Sequence, residues 1–221
     1  MNHVALIYIY LVFALLITNI PFIGKYMAVA NTIIHEASHC LMALLFSGKV
    51  HSMSLFSDTS GEARVSPRNW LSRILISYAG YTGSSFAAIG LYFALSKGKY
   101  EIILISYITL MIVCLFWIRN LFGFIWTITF VCIIGFIVYK DLSVLILHVS
   151  FLLSAIVLAQ SVSSAFVVLK LSFIDNKNAG DATNLANTTF LPAQLWGLLF
   201  FVQSLYAAYY IFIHFITHKA A

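Results

Sequence analysis

The chain has 221 residues, 62% of them hydrophobic and only 9% charged, with a formal net charge of +5. Soluble domains are about 45–50% apolar and about 25% charged, so this chain lacks the polar surface to cover itself in water, and lipid has to be part of its solvent. The twelve Lys and Arg lie scattered between apolar runs, as loop charges beside a membrane do, and no nucleic-acid partner is expected.

Apolar segments run over 4–23, 27–46, 71–95, 101–118, 121–139, 142–170 and 193–216. A membrane helix needs roughly 20 such residues. The expected fold is therefore an all-α, polytopic membrane protein: one domain over 1–221, with six or seven transmembrane helices. The fourth and fifth segments are the shortest, and only Arg119-Asn120 separates them, which suggests a tight helical hairpin. The first segment lacks a basic lead and a small-residue cleavage site, so it is expected to stay as a helix. Cys40, Cys114 and Cys132 each sit in apolar surroundings and read as small buried hydrophobes.

In the second segment, His35-Glu36-Ala37-Ser38-His39 has the pattern His-Glu-x-x-His. Side chains four apart on a helix share a face. His35 and His39 can thus offer two imidazole nitrogens to one zinc ion, at about 2.0–2.1 Å. Glu36 follows the first ligand and is placed to take a proton from the attacking water. With seven His and three Glu in the chain, random placement gives this pattern about three times in a thousand such chains. Ionisable groups inside a span are costly and mark function by default, although polar clusters also glue helices together. Asn31, one turn before His35, and Ser38 lie nearby. Each suits a helix contact, or a hydrogen bond to an imidazole or a wet cavity.

Two stretches interrupt the apolar pattern. In 48–69, Val50, Met53 and Leu55 approach strand alternation, Asp58-Thr59-Ser60-Gly61 supplies a turn, and Glu62 to Val65 can return as a second strand. The expected element is a short β-hairpin after the zinc helix, with an exposed loop as the alternative. Its edge, through Val50, Met53 and Leu55, is a candidate for holding substrate by strand addition. Lys49, Arg64, Arg68 and Arg73 flank it, which favours the cytoplasmic side. The other stretch, 175–189, is rich in Asn, Asp and Thr. There Asp181 reads equally well as the N-cap of a short helix or as a third ligand.

His-Glu-x-x-His within a transmembrane helix resembles the site-2 protease family of intramembrane zinc metalloproteases. The run IIHEASHCLMALLFSGKV is similar to that family's zinc helix and its exit. Gly180-Asp181-Ala182-Thr183-Asn184, followed by Pro192 and Trp196, is similar to the aspartate segment of small bacterial members without a PDZ domain. The resemblance implies Asp181 as the third ligand, one Zn2+ per chain, Glu36 as general base, a transmembrane protein as substrate, and a bacterial plasma membrane as the location. The chain departs from the family at Ala179-Gly180-Asp181-Ala182, where Asn-x-Asp-Gly is common. It departs again at Ala79-Gly80-Tyr81-Thr82-Gly83-Ser84, which lacks the Pro and Asn of the family's next core span. A substrate-steadying asparagine therefore has only Asn120 and Asn184 as candidates, and a helix cap and a plain polar surface position explain them as well. The alternative function is a metal-binding membrane protein without protease activity: a pseudoenzyme, an assembly factor or a transporter. No internal repeat supports a transporter. The sequence leaves the oligomeric state open.

Overall fold

The computed structural model describes residues 3–216. In chain order these form α1 (His3–Ile17), α2 (Ile23–Leu45), β1 (Lys49–Leu55), β2 (Gly61–Ser66), α3 (Trp70–Ser96), α4 (Tyr100–Leu115), α5 (Leu121–Tyr139), α6 (Ser143–Ile174), α7 (Asp181–Thr189) and α8 (Ala193–Ile211). A π-helical turn, Phe212–Ile216, extends α8. Among the described residues, four helices are long and apolar enough to cross a membrane: α3, α5, α6, and α8 with its π turn. At 15 and 16 residues, α1 and α4 are shorter than a full span. α2 has 23 residues but carries Lys25, His35, Glu36 and His39. The expected helical bundle and hairpin are present; α3, α5, α6 and α8 meet the length and apolarity of a span, against the six or seven spans expected.

Outward-facing Phe116, Leu121, Phe136 and Val144 are each more than half exposed, a surface that lipid rather than water would cover. The interior is built on α6, whose 32 residues rise about 48 Å and touch α1, α2, α3 and α8. Tyr10 of α1 meets His148 of α6 through a 2.8 Å hydrogen bond, which gives that histidine a polar partner far away in sequence. Cys40 and Cys114 are buried, whereas Cys132, expected to be buried, faces outward.

Local chemistry sets the entry to α3. The Asn69 side chain accepts the Ser72 N–H at 2.8 Å, and the Ser72 hydroxyl accepts the Asn69 N–H at 2.9 Å, a reciprocal cap. The hairpin before it folds back along α2: Gly48 donates to Ala43, and at the tip the Thr32 hydroxyl donates to the Thr59 carbonyl at 2.8 Å. The Ser60 hydroxyl and N–H bond the Asp58 carboxylate in the turn and hold its pKa below the usual carboxylate value.

β1 and β2 pair antiparallel, with a register shift between Val50 and Ser52. The bulge explains why the apolar positions Val50 and Met53 stand three apart. On its outer side β1 is already paired. Met53 donates to Trp117 at 2.7 Å and accepts from Arg119 at 3.0 Å. The Asn120 side chain accepts the Leu55 N–H at 3.1 Å and donates to the Leu55 carbonyl at 2.5 Å. The short link between α4 and α5 thus serves as a third, one-bridge strand.

Candidate active site

His35 and His39 sit just past the middle of α2, where the helix is walled by α3, α7 and β2. Their Nε2 atoms are 3.0 Å apart, and each lies 3.2 Å from Asp181 Oδ2. Among the described residues these three form the one group of His, Cys, Asp or Glu side chains close enough to hold a metal. The spacing fits zinc: bonds of about 2.0–2.1 Å in a tetrahedral site put ligand atoms roughly 3.3–3.4 Å apart. The His39 Nδ1 lies 2.6 Å from the Ile76 carbonyl. A carbonyl only accepts, so Nδ1 carries the proton and Nε2 keeps its lone pair for a metal. Tyr81 stands edge-on to His35, with ring centres 4.6 Å apart.

Asp181 reaches this point because the chain reverses before α7. Gly180, just ahead, has φ +56° and ψ −122°, a conformation that only glycine adopts without strain. Asp181 does not cap α7; the N-cap is Gly180, which has no side chain to do so. α7 is amphipathic in a short form. Ala182 and Leu185 are buried, and Asp181, Asn184 and Thr188 face the cavity. Its far end is pinned by two indoles: Trp70 donates to the Thr188 carbonyl at 2.8 Å and Trp196 to the Thr189 hydroxyl at 3.1 Å.

The cavity in front of the triad holds about 820 Å³ and is lined by Asn31, Glu36, Gly61, Ala63, Val65 and Asn184, among others. Glu36 is only 5% exposed, and the Ala63 N–H faces its carboxylate.

The sequence-derived candidates divide. The structure brings together His35, Glu36, His39, Asp181 and Asn184. It sets Met53 and Leu55 apart; both are fully buried in the core, and the edge to which they belong is taken up by Trp117, Arg119 and Asn120. Val50 packs against that core and does not line the cavity. Asn120 holds the hairpin rather than the site. The strand that borders the cavity is β2. Because Met53 directs its N–H and C=O outward, its pairing with Ala63 is of the non-hydrogen-bonded kind. Ala63 therefore presents its own N–H and C=O at the opposite edge, and by strand alternation Gly61 and Val65 do the same. All three line the cavity.

Gly80 was not legible as a site residue. A Cβ there would collide with the imidazoles of both His35 and His39, so any side chain at this position forces either the two rings or α3 to shift. A Gly-x-x-Gly pair, Gly80 and Gly83, was the available signal.

Bundle, hairpin and triad together define a helical membrane protein with its polar cavity sunk among apolar helices. The Peptidase M50B-like family model matches residues 7–211, and the chain belongs to that family, the site-2 group of metallopeptidases. Comparison with curated proteins and with solved structures gave no match.

Proposed function

We propose that this protein is a zinc metalloprotease that hydrolyses peptide bonds in or near transmembrane segments of other membrane proteins, with one zinc per chain held by His35, His39 and Asp181. The observation that carries this reading is the triad itself: three ligand atoms within 3.2 Å of one another, beside a buried carboxylate and an open strand edge, inside a family of metallopeptidases. When bound, zinc supplies the Lewis acidity that polarises a carbonyl oxygen and lowers the pKa of a water. Glu36 accepts the water's proton and returns it to the leaving amine. His39 is kept in the ligating tautomer by Ile76. The cavity admits water to a site that the apolar bundle otherwise excludes from it.

A helical substrate hides its amides and has to unwind locally before it can be cut. The open β2 edge at Gly61, Ala63 and Val65 offers the opened chain a strand to pair with. Val65→Pro removes one edge N–H while leaving the Ala63 N–H that faces Glu36. It is expected to lower cleavage by about 5–10-fold, the worth of one backbone hydrogen bond, with zinc content unchanged. An unaltered cleavage rate in Val65→Pro argues against strand addition at this edge. Proline at Leu55 would instead remove the N–H that the Asn120 side chain accepts.

A metal-binding protein without protease activity has no use for Glu36, whose burial between the triad and β2 is otherwise costly. Proteomics of membrane-protein fragments separates the two readings. Cells carrying wild type should accumulate fragments that are missing with Glu36→Gln; identical profiles would favour the non-protease reading. The flanking Lys49, Arg64, Arg68 and Arg73 favour a cytoplasmic hairpin base, in what we take to be a bacterial plasma membrane.

A further inference from the structure

Asn31 lies one helical turn before His35 on the cavity wall and is only 5% exposed. Its Oδ1 is shut from solvent and has no hydrogen-bond partner among the described residues. Buried amide oxygens are almost always paired. One left unpaired beside a reaction cavity is an acceptor waiting for a donor that arrives with a ligand.

The β2 edge indicates which donor that is. An added strand pairs with β2 through every second residue only; the N–H and C=O of the residues between point the other way. In a cavity walled by apolar helices those groups need protein partners, since leaving them bare is costly. The molecule already shows how an asparagine does this. The Asn120 side chain takes both the N–H and the C=O of Leu55 on the outer edge of β1. Asn31 carries the same amide on the α2 wall of the cavity.

We propose that Asn31 is a substrate-binding residue whose side-chain amide turns about its Cβ–Cγ bond and accepts the backbone N–H of a substrate residue that the β2 edge leaves unpaired. This rests on the metalloprotease reading above and adds a second backbone contact to it. Asn31 holds the opened chain from the α2 wall of the cavity, so recognition is of main chain rather than of any one side chain.

The test uses binding, which requires no cleavage. Zinc-loaded full-length protein in detergent is titrated with acetyl-Leu-Leu-Leu-hydroxamate and with three analogues, each carrying an ester oxygen in place of one backbone N–H. Wild type is expected to bind the analogue that lacks the N–H left unpaired by β2 about 5–10-fold more weakly than the parent, apart from any loss caused by esters at N–H groups that pair with β2. Asn31→Leu should lose a similar factor against the parent and no longer distinguish that analogue from it. Asn31→Ala, which cannot clash, serves as the second variant, with zinc content as the check on folding in both. Asn31→Asp retains an acceptor and should retain the discrimination. Discrimination that persists in Asn31→Leu or Asn31→Ala, or wild type that binds all four probes alike, overturns the role of Asn31 alone. Wild type that takes up no zinc or no hydroxamate overturns the metalloprotease reading, and this proposal with it.

Discussion

Asp181→Asn is expected to lower zinc affinity by more than the roughly 10–100-fold that loss of a supporting hydrogen bond around a metal costs, and to abolish cleavage. The substitution keeps the shape of the side chain but removes the negative charge that stands 3.2 Å from both imidazoles. His35→Ala and His39→Ala should do the same, because each removes one of three ligand atoms and no neighbouring His, Cys, Asp or Glu among the described residues can replace it. Asp175→Asn is the control. Asp175 bonds Asn178 at the surface and should change neither zinc content nor cleavage. Acid should mimic the ligand deletions, since protons compete for the imidazole lone pairs and occupancy falls as pH falls. Metal titration of membrane-inserted, purified variants checks each case. Full occupancy in Asp181→Asn would remove the carboxylate from the ligand set.

Gly80→Ala should separate metal binding from helix stability in opposite directions. In the middle of α3 alanine is favoured over glycine by about 0.8–1.0 kcal/mol of helix propensity, so α3 itself should be no weaker. Its methyl, however, would occupy the space of the His35 and His39 rings. Either the imidazoles turn away from Asp181 or α3 moves off α2, and zinc affinity is expected to fall by at least about 10-fold. Thermal unfolding and zinc titration of the same preparation test this. Wild-type zinc affinity in Gly80→Ala would mean that the contact between α2 and α3 yields without cost.

Much of this was legible because its signals are local. The apolar runs marked the helices, and the i,i+4 spacing of His35 and His39 placed two imidazoles on one face. The turn Asp58 to Gly61 placed the hairpin. Asp181 was legible only by resemblance, for its spacing serves a cap as well as a ligand. What escaped depends on contacts between distant segments. Nothing near Met53 indicates that Trp117 and Arg119 pair with it, so β1 looked like a free edge when β2 is the free one. Asn120 looked like a cap or a substrate contact because its partner, Leu55, is 65 residues away. Gly80 looked like ordinary helix packing, since the side chains it makes room for belong to another helix. Asn31 showed its polarity and its face, but not that its oxygen has no partner.

The most direct test of the central claim compares purified wild type with Glu36→Gln, each assayed for bound zinc and for cleavage of the membrane proteins whose fragments accumulate in cells with wild type. Glu36 is not among the ligand atoms, and glutamine keeps its shape while losing its basicity. Both proteins should hold one zinc per chain, and only wild type should cut. Cleavage by Glu36→Gln at the wild-type rate, or by wild type stripped of zinc, would contradict the assignment of a zinc-dependent peptidase with Glu36 as its base.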